Sequence, residues 1–282
     1  MAIWKSYRIA DIIREIQDKR FLIPSFQRPF VWGEDKISLL FDTVLKGDSF
    51  GGIMVVEEEK GAKPLFLYKP FGNTLNTGEF YDFDKLSHQQ YLVIDGQQRL
   101  TSFYLGLTGN FNNKKLHFDL FSDYRGNYEF CFLKKVTDEN AHTDSFRIIN
   151  RSFWFPVNVL YQRLLDTNDE ELVSEEIIEQ FKIENSNELS HIFKNVKAFY
   201  KNIITAESLG VSKVVINNQI GESANKQRIV ELHRRLNESG VQVSSADSRA
   251  NIIKSRASEK ERENEIRENL INYEERHNEK LI

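Results

Sequence analysis

The chain has 282 residues, of which 40% are hydrophobic and 28% charged, so it is long enough for one large domain or two small ones around a substantial core. A formal net charge of -4 excludes a protein coated uniformly in basic residues, and any nucleic-acid contact must come from local patches. The single cysteine, Cys131, excludes an internal disulfide and a cysteine-based zinc knuckle.

The N-terminal residues bear on where the protein works. They lack the long apolar core of a signal peptide, and no apolar run in the chain approaches the length of a membrane span. We therefore expect a cytoplasmic protein with no membrane partner.

The first predicted elements are a helix and a short strand. Isoleucines at 9, 12, 13 and 16 fall on one face of a helix, and 21–23 then form a strand that Pro24 stops. In the loop that follows, Pro24 and Pro29 hold the backbone extended and present Gln27 and Arg28 on a stiff support between aromatic residues. Two readings stay open: the loop forms the lip of a binding site, or its aromatic residues fill the core while Arg28 meets a carboxylate.

A second helix and a second strand come next. The helix begins near Glu34 or Asp35 and ends at Gly47. Gly51 and Gly52 precede an apolar strand at 53–56, which indicates a tight turn or the close approach of a ligand to the backbone. The polar stretch 57–90 is poorly periodic, and we interpret it as a loop or a hairpin excursion.

The central feature of the sequence is the stretch 91–101, with the sequence YLVIDGQQRLT. Four apolar or aromatic residues form a strand, Asp95-Gly96 breaks it, and apolar residues then return at helical spacing. A strand-to-helix corner presents free backbone N–H groups and the positive end of a helix dipole, which suit an anion such as phosphate. A plain turn is the alternative, but a simple N-cap would need only the aspartate and not the two amides and guanidinium that follow.

The rest of the chain is predicted to be a hairpin followed by mostly helical structure. The hairpin pairs 115–121 with 128–133, and the aromatic stretch 153–156 is typical of a chain that packs onto a sheet. Two helices follow Asp169, then a strand at 213–216 and a helix that Gly240 ends. In that helix His233 lies beside two arginines, which favours a solvated basic face over a catalytic base. A highly charged segment from about 255 to 279 is expected to project, dock a partner or link to another domain.

Several of these segments, taken in order, resemble a known family. They are IPSFQR at 23–28, Trp32, a helix ending in Lys46-Gly47, a Gly-Gly-Ile strand, VIDGQQRLT at 93–101 and RLNESGVQV at 235–243. This ordered set is similar to the N-terminal domain of the GmrSD type IV restriction endonucleases. It spans most of residues 1–250.

The resemblance implies a fold and a function. The expected fold is α+β, with a ParB/sulfiredoxin-like nucleotide-binding domain at 1–165 built on a mixed sheet with flanking helices. A mostly helical extension at 166–250 would close the site, and a charged helical tail would occupy 251–282. The Asp-Gly-Gln-Gln-Arg motif is linked in the family to nucleotide binding and hydrolysis, and the family to defence against foreign or modified DNA.

Carried onto this sequence, the motif gives a set of candidate residues. Asp95, Gln97, Gln98 and Arg99 are the expected catalytic group, with Arg99 neutralising charge and the glutamines placing water or holding sugar and base. Asp95 would bind Mg²⁺ or take a proton from water. The expected nucleotide-binding residues are Gln27, Arg28, Gly96, Thr101 and Asn237, although Asn237 would serve equally well as a helix C-cap. Phe26, Gln27 and Trp32 are the residues expected to face DNA.

The chain departs from the family in one respect. The six histidines are scattered and form no cluster like the His-Asn-His nuclease site that such enzymes carry in a second domain. We therefore expect a nucleoside triphosphatase that does not cut DNA through such a domain. It either works with a separate nuclease subunit or is a fragment or a stand-alone regulator. Two alternatives stay open: a sensor or adaptor that binds nucleotide or modified DNA without turnover, and a metal-dependent nuclease using Asp95 with Asp48 or Glu57.

Overall fold

The computed structural model describes residues 3–72, 81, 83–134, 147–149, 151–214, 216 and 221–238. The helices in this part of the chain are α1 Ile9–Gln17, α2 Glu34–Leu45, α3 Gln97–Leu107, α4 Val157–Thr167, α5 Glu170–Phe181, α6 Ser186–Phe199 and α7 Glu222–Glu238. A π-helical turn, Tyr200–Thr205, extends α6. The strands are β1 Ile3–Tyr7, β2 Phe21–Pro24, β3 Ile53–Glu58, β4 Tyr68–Lys69, β5 Gln90–Asp95, β6 Lys114–Asp119, β7 Phe130–Lys134, β8 Arg147–Ile149, β9 Ser152–Pro156 and β10 Leu209–Val214.

The larger sheet is mixed and has six strands in the order β1-β10-β3-β5-β2-β4. β5 lies inside this sheet, antiparallel to β3 and parallel to β2. It is buried on both faces: Val93 packs into a core shared with α1, α2 and α3, whereas Leu92 and Ile94 pack into a second core with β2 and α7. This double burial fixes the end of β5, where Asp95 lies.

The smaller sheet has four antiparallel strands in the order β7-β6-β9-β8. Phe118 of β6 stacks on Phe130 of β7, with ring centres 4.6 Å apart. The sheet packs against α2 and α4, so its apolar face joins the core that also contains α3. The second sheet thus buttresses the helix that begins at the central corner.

The α+β fold class expected from the sequence is confirmed, with a mixed sheet flanked by helices. The hairpin is present as β6 and β7, and Asp169 caps α5 by accepting hydrogen bonds from the N–H groups of Glu171 and Leu172. The ParB/sulfiredoxin-like description and the division at residues 165 and 250 stay predictions. Strand β10 lies beyond residue 165 and pairs with β1 and β3 of the larger sheet.

Three local predictions differ from the structure. Residues 153–156 do not merely pack onto a sheet but form most of β9, and α4 follows them without a break. The strand predicted at 213–216 begins earlier, at Leu209, where Gly210 packs against Trp4 of β1. The stretch 57–90 includes the two-residue strand β4. The helix end at Gly240 and the charged tail lie outside the described residues.

None of the helices in the described part of the chain combines the length and apolar character that crossing a membrane requires.

Candidate functional site

The predicted strand-to-helix corner is present. β5 ends at Asp95, Gly96 adopts a left-handed conformation with φ +87°, and α3 begins at Gln97. Two features require glycine at position 96. Its φ is strained for any residue with a Cβ, and a Cβ there would lie 2.5 Å from Cγ2 of Ile53. The N-cap residue Gly96 has no side chain that could cap α3, so its first-turn N–H groups lack this partner and lie beside the positive end of the helix dipole, which suits an anion.

Arg99 lies in the first turn of α3, and its guanidinium contacts residues at the corner. Its Nη1 donates to the backbone oxygen of Phe50 at 2.9 Å, and its Nη2 lies 3.6 Å from Oδ2 of Asp95. The Arg99 side chain is 20% exposed and that of Asp95 is 42% exposed, so the carboxylate is open to solvent while the guanidinium is largely enclosed. A guanidinium has five N–H donors, and these two contacts leave others for a ligand.

Gly51 makes room for Arg99. A Cβ at this position would lie 2.1 Å from Nη1 of Arg99, and its φ is +83°. The close approach predicted for the Gly51-Gly52 pair is therefore made by side chains of the same chain, because Gly52 in turn faces the ring of Trp4.

The two glutamines hold the Pro24–Trp32 loop against α3. Nε2 of Gln97 donates to the backbone oxygen of Arg28 at 2.6 Å, and Nε2 of Gln98 donates to that of Pro29 at 3.0 Å. Oε1 of Gln98 accepts from the N–H of Val31 at 2.9 Å, so both ends of this amide are engaged by the loop. Gln97 is only 7% exposed, and within the described residues its Oε1 has no hydrogen-bond partner.

The loop buries some of the predicted binding residues and exposes one. Gln27 is buried and its Nε2 donates to the backbone oxygen of Val93, and Phe26 is buried against Phe66. Trp32 is half-buried against the main core, whereas Arg28 is exposed. In this structure Phe26 and Gln27 therefore support the loop that presents Arg28.

Thr101 and Asn237 complete the predicted set. Thr101 is buried one turn into α3, behind the first-turn N–H groups. Asn237 belongs to the last turn of α7, and its side chain lies outside the described residues. The roles assigned to these residues, and to the loop, stay predictions.

The prediction for His233 was wrong. Its side chain is only 7% exposed, and its ring packs edge to face on Phe26 with centres 5.3 Å apart. Burial lowers its pKa from 6.5 to about 4; the Asp95 carboxylate opposes this shift and the Arg28 guanidinium adds to it. The imidazole is thus a neutral group at the corner, contributed by a distant helix.

A sequence signal for His233 did exist. Ile229 lies four residues before it, on the buried face of α7, while Arg234 and Arg235 both pair with Glu231 on the outer face. The spacing places the histidine with the apolar residues, not with the basic ones.

The charges at the corner bear on the expected Mg²⁺. Within the described residues, no three His, Cys, Asp or Glu side chains form a group that could hold a metal ion. Mg²⁺ in nucleotide sites is often held by one or two carboxylates together with the substrate's phosphates and water. The solvent-accessible carboxylate of Asp95 fits that mode, which needs no closed cage of protein ligands.

Comparisons with known proteins show the family of this chain. The chain is 33% identical over 106 residues to an uncharacterized protein of Methanocaldococcus jannaschii, an alignment that covers 36% of this chain and 17% of that relative. Residues 9–256 match the family described as the GmrSD restriction endonuclease, N-terminal domain. That match includes both the loop and the corner and most of the chain, and the protein therefore belongs to the GmrSD N-terminal domain family of restriction endonucleases.

Proposed function

We propose that the corner between β5 and α3 binds and hydrolyses a nucleoside triphosphate in a DNA restriction system. The observation that carries the proposal is the start of α3, which has no side-chain cap and carries Arg99 in its first turn, beside the loop that bears Arg28. Phosphoryl transfer needs positioning and charge neutralisation more than covalent help, and this arrangement supplies both.

Each group at the corner has a distinct task in the proposed reaction. The first-turn N–H groups of α3 bind phosphate oxygens, and Arg99 neutralises the charge that develops on them. Asp95 takes a proton from the attacking water, whose oxygen bonds to the γ-phosphorus while the bond from that phosphorus to the β–γ bridging oxygen breaks. The products are a nucleoside diphosphate and phosphate.

The glutamines act through position. Gln98 holds the loop, because both ends of its amide are bonded to it. Gln97 holds the Arg28 backbone and keeps Oε1 as an acceptor for the water or the sugar. In the alternative arrangement Asp95 would hold a bound Mg²⁺, which would neutralise phosphate charge, and the proton of the attacking water would pass to solvent instead of to Asp95.

Family membership supports the remaining parts of the proposal. Restriction implies an encounter with DNA, and the exposed Arg28 is the residue of the loop best placed for it. The proposal further includes a separate nuclease subunit that responds to nucleotide turnover.

The experiment is phosphate release from each of the four ribonucleoside triphosphates with Mg²⁺, with and without DNA. We expect release by the parent chain and a loss of about a hundredfold in Arg99→Ala and in Asp95→Ala. Arg125→Ala, which changes an exposed arginine on a distant turn, is the matched control and should hydrolyse at the parent rate. Parent-level release in Arg99→Ala would refute the assignment, and nucleotide binding without release by the parent would identify a sensor or adaptor instead.

A further inference from the structure

A large cleft lies at the opposite end of β5 from the corner. Its volume is about 660 Å³, within the range of roughly 300–1,000 Å³ found for small-molecule sites. Tyr91, near the start of β5, lines it, whereas Asp95 ends the strand. Four residues of extended chain separate the two by about 13 Å, so the cleft is distinct from the corner and shares no residue with it.

Basic side chains predominate in the cleft. Five cationic residues line it against three acidic ones, and the cations come from β1, from α1 and the loops on either side of it, and from β10. They are Lys5, Arg8, Arg14, Arg20 and Lys213. Glu57 pairs with Lys213 from outside the lining, so five cations meet four carboxylates and leave one positive charge in excess, in a protein whose net charge is -4. This local excess favours an anion.

Ion pairs engage four of the five cations: Lys213 pairs with Glu57 at 2.8 Å, Arg14 lies 4.0 Å from Asp11, and two more arginines pair within the cleft. Arg8 pairs with Asp11 at 2.6 Å, and Arg20 pairs with Glu15 at 3.4 Å. Both arginine side chains are about half exposed, so these pairs are weak, and each guanidinium has more N–H donors than its carboxylate engages. An incoming phosphate therefore competes with these carboxylates for N–H donors that line the cleft.

Aromatic rings line the same cleft. Nζ of Lys5 lies 5.1 Å from the ring centre of Tyr7, and Nζ of Lys213 lies 4.6 Å from that of Tyr91. Tyr91 also packs on the ring of Phe21, with centres 5.0 Å apart. A planar base can stack on such a ring, and Lys5, which is exposed, would then be released from Tyr7 to meet a phosphate.

Rings and cations together define the class of ligand. An inorganic anion would leave the aromatic surface unused, and a neutral aromatic compound would leave the cations unused. We propose that the cleft is a second nucleotide site, which stacks a base on Tyr7 and binds its phosphate with Lys5 and the neighbouring arginines. The nucleotide is either free or part of a single strand of nucleic acid, and the proposal stands whether or not the corner hydrolyses triphosphates.

The test uses the full chain with Arg99→Ala, because this substitution impairs the proposed phosphate site at the corner and leaves the cleft unchanged. The probes are AMP and a 12-residue oligothymidylate, and binding is measured by calorimetry at two salt concentrations. We expect at least one probe to bind the Arg99→Ala chain. When Lys5→Gln and Arg14→Gln are added to that chain, binding should weaken by about tenfold or more and should depend less on salt concentration. Binding of AMP would identify a free-nucleotide site, and binding of the oligonucleotide alone would identify a strand-binding site.

Two further variants make the test specific. Tyr7→Leu keeps an apolar side chain but removes the ring, and we expect it to weaken binding about tenfold. The matched control, Lys36→Gln with Arg125→Gln, neutralises two exposed cations outside the cleft and should leave binding unchanged. The inference is overturned if neither probe binds, or if binding is indifferent to the cleft substitutions in variants that melt at the parent temperature.

Discussion

Substitution of Gly51 by alanine tests the geometry around Arg99 directly. The new Cβ would lie 2.1 Å from Nη1, so the guanidinium must move and lose its hydrogen bond to the backbone oxygen of Phe50. Loss of a hydrogen bond from a charged donor costs about 1.5–3 kcal/mol of unfolding free energy. The left-handed backbone at Gly51 adds roughly 1–2 kcal/mol for any residue with a Cβ. We expect Gly51→Ala to lower the free energy of unfolding by the sum of these two effects.

The chain supplies a control that carries only the backbone cost. Gly47 has φ +76°, close to the +83° of Gly51, but a Cβ there would meet no atom within 4 Å. Gly47→Ala should therefore cost only about 1–2 kcal/mol in urea unfolding. In a chain that already carries Arg99→Ala, Gly51→Ala should also cost only this backbone term, because the arginine side chain that the new Cβ would displace is absent. An equal cost of Gly51→Ala with and without the arginine would refute this account of Gly51.

Two more predictions concern the loop and α7. Gln98→Ala removes two hydrogen bonds, to the backbone of Pro29 and of Val31. We expect the free energy of unfolding to fall by about 1–3 kcal/mol and the loop to be cleaved faster by a protease. A loop that is cleaved at the parent rate would contradict this prediction. Because the pKa of His233 is lowered in the folded protein, the unfolded chain binds more protons than the folded one between pH 6.5 and about 4. The free energy of unfolding should therefore decrease as the pH falls through this window, by up to about 3 kcal/mol. His233→Phe keeps a ring packed on Phe26 and should remove the pH dependence that His233 contributes to thermal unfolding. The control His191→Gln should leave that contribution in place. An unchanged pH profile in His233→Phe would show that the imidazole is not buried as described.

The corner was predictable because its signals are local. An apolar run, an Asp-Gly break and a helical return occupy eleven consecutive residues, and each has its own physical cause. The structure adds what no local pattern contains: Gly96 packs against Ile53, and Arg99 reaches Phe50. Both contacts join segments more than forty residues apart, so they depend on the pairing of β3 with β5.

The loop illustrates a prediction that was incomplete. Two prolines indicated a stiff segment, but its sequence does not show which of its side chains point inward. The structure buries Phe26 and Gln27 and exposes Arg28, because the amide of Gln27 is bonded to the backbone of Val93 in β5.

The cleft at the other end of β5 could not be predicted from the sequence, because its residues come from three separate segments, 5–21, 88–91 and 207–213.

His233 connects these observations, because α7 brings it to the corner from more than 130 residues away in the sequence. Burial against Phe26 keeps its ring uncharged at pH 7, so positive charge at the corner comes from the start of α3 and the two arginines. Arg99 is held through the main-chain carbonyl of Phe50, whereas Gln97 holds the backbone of Arg28 and leaves its side chain exposed. The carbonyl positions the Arg99 guanidinium without neutralising it, and the Asp95 carboxylate, 3.6 Å from Nη2, is a charge with which a bound phosphate must compete.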